Sequence, residues 1–187
     1  MEVEQFWKLI EKTHQNSQGA PQKQADLLVD ELAKLSEAEI LSYQLILDNL
    51  VDQAYIAELW DVAFILASGW GCSDDGFEYF RGWLIGQGQD VYEKALSDPE
   101  SLVDVVEFGQ ETQWEVLLYV AIYAYESSTH KDIFEIMSNA RSEKPRPTLK
   151  GTTAKSVEEH LARFPKAAAK FWKERPYDYN CESDRQS

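Results

Sequence analysis

Ser73, Asp74, Asp75, Glu78 and Arg81 are the polar side chains of this chain best spaced to do chemistry together. Trp70, Tyr79 and Trp83 are interleaved with them. On a helix that starts after Ser73, the side chains of Asp74, Glu78 and Arg81 share a face. Arg81 follows Glu78 by three residues and Asp74 by seven, so its guanidinium can pair with either carboxylate. Walled by Trp70, Tyr79 and Trp83, this group would form a small polar pocket for a small molecule. The same residues also suit a plain capped helix with a surface ion pair. Ser73 is a good N-cap, and Asp74 and Asp75 would sit where the helix dipole favours negative charge.

A second pair of acids lies just upstream. Glu58 and Asp61 interrupt the otherwise apolar stretch AYIAELWDVAFILAS at 54–68. A helix that is apolar nearly all round is a buried one, and a buried carboxylate is costly unless paired. Glu58 and Asp61 are therefore candidates to meet Arg81 or a lysine; the plain alternative is that their face emerges into solvent. Together with Asp74 and Asp75 they leave acid–base chemistry open.

The common catalytic and nucleotide-binding signatures are absent: no phosphate-cradling glycine loop, no H-E-x-x-H, no G-x-S-x-G. His14, His130 and His160 have no ligand spacing, and Cys72 and Cys181 lie far apart, so neither a metal centre nor a disulfide framework is expected. No cofactor is expected. Cys72, just before a helix start, would be reactive if the helix dipole lowered its pKa, and inert if buried.

These residues need a scaffold. Gly69 and Gly71 end the preceding helix, and Phe77, Phe80 and Leu84 fall on the core face of the next one. Gly82 and Gly86, four apart, leave a smooth strip for close approach by another helix. Apolar periodicity predicts helices over 2–16, from Pro21 to about 34, over 54–68, 89–96, 113–125 and 131–140, and a last pair on either side of Pro165. Ser36 with Glu39 and Ser156 with Glu159 are capping-box patterns. The fold expected is an irregular all-α domain of about eight to ten helices with little or no strand. Its buried centre is 54–68 packed against 74–86 and 113–125. Residues 141–155, with two prolines, one glycine and five bases, read as a loop. Residues 1–172 read as one domain and 173–187 as a polar, mobile tail.

The run CSDDGFEYFRGWLIGQGQDVYEKALSDPESL resembles the central signature of an uncharacterised, mainly bacterial family, domain of unknown function 4240 (DUF4240). Phe6-Trp7, Ala54-Tyr55, Leu59-Trp60, the stretch WEVLLYVAIYAYE and Arg163-Phe164-Pro165 are also similar. The resemblance covers most of 1–172. It implies a shared helical fold and a shared importance of the region around Asp74, Asp75, Arg81 and Trp83, and it supplies no catalytic residues.

The chain has 187 residues, 44% of them apolar and 12% aromatic, enough for a sizeable core and too many for a disordered chain. It carries a net charge of −15. Residues 1–140 hold 7 Lys/Arg against 26 Asp/Glu, and residues 141–173 hold 9 against 3. So acidic a body argues against nucleic acid, which needs cations for its phosphates. With no basic-then-apolar leader and no apolar run of membrane length, a cytoplasmic protein without membrane contact is expected. The basic segment either docks on its own acidic body or reaches an acidic partner. The leading functional expectation is a non-enzymatic binding or regulatory module for a basic protein partner. The alternative is a small-molecule binding domain or enzyme around Asp74, Asp75, Arg81 and Trp83.

Overall fold

The structure is a computed structural model that describes residues 1–67, 72–130, 133 and 147–172. Among these the architecture is all-α, as the periodicity predicts; the one element of β pairing is an isolated parallel bridge between Ile56 and Lys150. Trp70, the segment 131–140 except Ile133, the first part of the basic loop (141–146) and the tail 173–187 lie outside the described residues.

Helix α1 (Val3–Ser17) ends where Gln18 turns left-handed at φ 57°, and Pro21 opens α2 (Pro21–Leu32) at a position where its missing N–H costs nothing. The Ser36–Glu39 capping box is formed and starts α3 (Glu37–Gln53). Helix α4 (Ala57–Leu66) follows, then α5 (Asp74–Gly86) and α6 (Gln89–Ser97). Pro99–Asp104 and Glu115–Tyr119 are 3-10 turns, the second running into α7 (Val120–Thr129). After the basic loop come α8 (Val157–Arg163) and α9 (Pro165–Ala167), which continues into a π-helical turn at Ala168–Trp172.

The core joins all these elements. Phe6, Leu28, Tyr43, Leu47, Phe77, Phe80 and Phe171 are fully buried, and each of the leucines and phenylalanines contributes about 1.5–3 kcal/mol of hydrophobic stabilisation against leaving it exposed. Helix α4 meets α5 through Trp60 and Phe77, whose rings stack 4.7 Å apart at 15°.

The region 113–125 differs from expectation. It is not helical from 113: Trp114 is extended at φ −138°, ψ 83°, and regular α-helix begins only at Val120. The cause lies in α5. The Trp114 amide donates to the Tyr79 carbonyl at 3.0 Å, its ring covers Gly86, and its carbonyl lies against Gly82 beside Leu118. A Cβ on Gly82 would meet the Trp114 carbonyl at 2.9 Å, and one on Gly86 would strike the indole, 2.7 Å from Cε3. The smooth strip is real, but what it admits is an extended tryptophan with its backbone, not a helix.

The described part of the basic segment docks on its own chain. Arg163 pairs with Asp61, Lys166 with Glu100, and the Lys170 ammonium donates to the Val103 and Val106 carbonyls at 2.8 and 2.7 Å. Ala167 and Phe171 enter the core beside them. Helix α4 is buried on this side because residues 147–172 cover it. Its first amide, on Ala57, donates to the Lys150 carbonyl at 2.8 Å.

Candidate functional site

The N-terminus of α5 is built as its sequence dictates. Ser73 Oγ accepts the Gly76 amide at 3.1 Å, and Asp74 and Asp75 stand exposed in the first turn, where the backbone N–H groups favour negative charge. One turn further the arrangement departs from the predicted face. Arg81 turns inward and is only 6% exposed. Its Nη1 donates to the Val51 carbonyl at 2.9 Å and its Nε to the Phe77 carbonyl at 3.2 Å. The guanidinium carbon lies 4.8 Å from the centre of the Tyr55 ring and 5.0 Å from that of Phe77. Burial pushes its pKa down from the ordinary arginine value, and the charge of nearby Glu78 opposes this.

This correction has a clear physical cause. Val51 is in the last turn of α3, whose carbonyls have no partner within the helix. A buried guanidinium satisfies one of them, favours the negative end of the helix dipole and lies against two rings. The neighbouring Leu50 carbonyl is taken by the Tyr92 hydroxyl at 2.7 Å. Among the described residues Arg81 makes no ion pair with Asp74 or Glu78. Trp83 is likewise in the core, 2% exposed and stacked on Phe80. Tyr79 is half-buried; burial, and then its bond to Glu115, push its hydroxyl pKa up. Among the described residues, those predicted on α5 share a helix, with Asp74 and Asp75 exposed at its start and Arg81 and Trp83 turned into the core.

Asp61 is the second centre, and it differs from Glu58. Glu58 is exposed, its carboxylate resting over Gly151, whose φ of +87° suits glycine. Asp61 is 1% exposed, with four polar contacts. Its two carboxylate oxygens accept the Ala154 amide at 3.0 and 3.1 Å, Oδ2 accepts Arg163 Nη1 at 3.0 Å, and Oδ1 lies 3.3 Å from His160 Nε2. Burial raises the Asp61 pKa, and the Ala154 amide, His160 and Arg163 oppose that rise. The cation expected here was Arg81 or a lysine; it is Arg163. His160 Nδ1 lies 2.7 Å from the Ser156 carbonyl oxygen, so both ring nitrogens face acceptors. Arg163 also donates to the Thr152 carbonyl and to Glu159. Reading α4 alone missed His160 and Arg163. The available signal was their three-residue spacing on a Ser156-capped helix, which puts both on one face.

A cavity of about 220 Å³ opens beside this centre, lined by Trp60, Asp61, Phe64, Cys72, Thr153 and His160 among others. The Trp60 indole N–H, Asp61 and His160 are already engaged there: the indole donates to the Cys72 carbonyl at 2.8 Å, Asp61 and His160 face each other at 3.3 Å, and the His160 ring packs 4.4 Å from Phe64. Burial pushes the Cys72 thiol up to about 12, with Arg81 opposing, so the helix start behind it does not activate it. Among the described residues no group of three His, Cys, Asp or Glu side chains could hold a metal ion.

The fold and these two centres define an all-α domain whose helices are tied together by a buried arginine and a buried aspartate. Residues 1–127 match the family described as "Protein of unknown function (DUF4240)", and the chain belongs to that family. The match ends before Ala154, His160 and Arg163, so Asp61 lies inside it and its partners lie outside. No curated protein and no solved structure matches the chain. No described helix is long and apolar enough to cross a membrane.

Proposed function

We propose that this protein is a non-enzymatic binding module that recognises a partner protein through a lysine- and arginine-rich segment. The observation that carries this reading is the state of Arg81. The rival pocket needs a guanidinium available to a ligand, and this one is committed to the Val51 and Phe77 carbonyls beneath exposed Asp74 and Asp75. Charge supports the same reading. Residues 35–126 contain eighteen acids and two bases, Arg81 and Lys94, and Arg81 is buried. A surface of that sign steers and selects basic partners. The intramolecular contacts of Arg163, Lys166 and Lys170 support a basic partner over an acidic one, because they hold these three cations on this chain's own carboxylate and carbonyl groups.

A second reading, small-molecule binding, draws on the 220 Å³ cavity beside Trp60 and Phe64. None of Asp74, Asp75, Arg81 or Trp83 lines it, and the contacts already made by Asp61, His160 and the Trp60 N–H leave little polar purchase for a ligand.

The test is native mass spectrometry of the protein captured gently from its host's lysate, beside its denatured mass. The expected outcome is a protein-sized excess, from a basic partner, that dissociates as salt is raised. An excess of small-molecule size would overturn the module reading.

A further inference from the structure

The segment 147–172 is held on the rest of the chain by several polar contacts, and one of them differs in kind from the others. Arg163, Lys166 and Lys170 make three of them, and arginine and lysine side chains keep their charge near neutral pH. The bridge between Lys150 and Ile56 is made by the backbone alone. His160 is the exception, because imidazole is the side chain that titrates near neutrality. Its side chain is 13% exposed, enough for water to exchange its proton, whereas its partner Asp61 is 1% exposed.

The His160 ring stands between two acceptors. Nδ1 lies 2.7 Å from the Ser156 carbonyl oxygen, and Nε2 lies 3.3 Å from Asp61 Oδ1. Neutral imidazole has one N–H, so it turns a lone pair toward either the carbonyl or the buried carboxylate. Only the imidazolium presents an N–H to both. Moving the second proton onto Asp61 instead would weaken its pair with Arg163.

The groups around the ring agree with a positive charge. On α4, the Phe64 ring lies 4.4 Å away and favours a cation, while Glu58 rests over Gly151. On α8, Arg163 shares the Asp61 carboxylate and opposes a second cation, but its Nη2 is paired with Glu159 at 2.6 Å. Glu158 and Lys155 are exposed. Ahead of α5, the Cys72 thiol is kept protonated by burial and brings no charge. On α9 and the turn after it, Lys166 is paired with Glu100, and Lys170 is bound by the Val103 and Val106 carbonyls. Asp61 is thus the described carboxylate in contact with the ring. The charge of His160 favours ionised Asp61, and the favour is mutual.

We infer that Asp61 and His160 form a proton-held clasp on the segment 147–172, tight while the ring carries both protons and looser as pH rises through the range in which histidine titrates. Docking of the segment takes up a proton, so its hold weakens as protons become scarce. Leu149, Thr153, Ala154 and His160 of this segment form one side of the 220 Å³ cavity, so the clasp also sets how readily that cavity opens. The clasp needs no partner, and its failure would leave the binding-module reading untouched.

Hydrogen–deuterium exchange of the full chain, read by mass spectrometry at about pH 6 and about pH 8, tests it. Parent and H160Q are compared at each pH, which cancels the intrinsic pH dependence of exchange; glutamine donates a hydrogen bond but does not titrate. In peptides spanning α8, the protection of the parent relative to H160Q should fall about threefold or more between the two pH values. Peptides from α1 should keep a constant ratio. An α8 ratio that stays constant or rises with pH would overturn the clasp, and so would a fall shared equally by α1. Circular dichroism checks that H160Q is folded. If it is not, nitrogen NMR of the parent decides, with the His160 ring assigned through its contact with Phe64. Two protonated ring nitrogens at the lower pH and one at the higher are expected, and a ring unchanged between them would overturn the clasp.

Discussion

Asp61 on α4 and Arg163 on α8, 102 residues apart in sequence, meet at 3.0 Å. The carboxylate is buried and the guanidinium is 33% exposed, so solvent screens one partner only. Removing one member of a buried pair costs about 3–5 kcal/mol because the other is left without compensation. The part-exposed arginine puts this pair at the lower end, about 3 kcal/mol. D61A and R163A should each lower the urea midpoint, D61A more, because it also releases His160 and the Ala154 amide. A double-mutant cycle should give a coupling of about 1–2 kcal/mol. Additivity within error would show that the two side chains touch without stabilising each other.

Arg81 should behave as a structural residue. Truncation to alanine strips two carbonyls of a charged donor and opens space between Tyr55 and Phe77. Hydrogen bonds to charged groups are worth about 1.5–3 kcal/mol each, so R81A should cost about 3 kcal/mol or more. For a chain of this size that is roughly 6–12 °C in Tm. Lysine cannot span both carbonyls and should recover only part of the loss. A melting temperature unchanged in R81A, with partner or ligand binding abolished, would return Arg81 to the site.

These two residues mark what could be read from the sequence and what could not. The Ser36 and Ser73 caps and the core face at Phe77, Phe80 and Leu84 are local, and local rules found them. The family was legible because its motif is a contiguous run. The direction of Arg81 could not be read, because its spacing from Glu78 describes only the surface of its own helix, while a carbonyl at Val51, thirty residues earlier, takes its guanidinium inward. For Asp61 the sequence left a cation partner and an exit into solvent both open, because spacing carries no information about a partner 102 residues away. The extended Trp114 was hidden for a related reason. Its apolar rhythm from 113 onward is helical, and only the bare strip on α5 makes extension the better packing.

That strip makes a paired prediction on glycine. G86A adds a Cβ inside the Trp114 indole, so the ring must move. Overpacking of this kind costs about 1–3 kcal/mol and exceeds the roughly 1 kcal/mol that alanine gains in helix propensity. G76A, in the same helix, brings its Cβ to 3.2 Å from the flexible amide end of Gln113 and 3.3 Å from the Ser73 hydroxyl, so the tightest contact is with Gln113. That side chain can give way, so G76A should be neutral or slightly stabilising. The G86A melt should therefore fall below the parent and the G76A melt at or slightly above it. Equal Tm values would mean that Trp114 does not sit on Gly86 in solution.

Cys72 supplies the pH-dependent test. Burial pushes its thiol up to about 12, against an unfolded value near 9. The folded chain thus keeps a proton that the unfolded chain releases. The stability this contributes is fully present below pH about 9 and is lost as pH rises toward about 12. Tyr43 and Tyr92 are also pushed up by burial, so their contributions fall in the same direction at still higher pH. Two measurements follow. Between pH 7 and pH 10 the urea midpoint should fall, and C72S should flatten part of that slope. At pH 8, alkylation of Cys72 by iodoacetamide, read by peptide mass mapping, should be slower in the folded chain than in urea by roughly a thousandfold, the ratio of thiolate fractions. A folded Cys72 that alkylates as fast as the unfolded one would show a thiolate stabilised at the start of α5, and the cavity beside Trp60 and His160 would then have to be reconsidered as a reactive site.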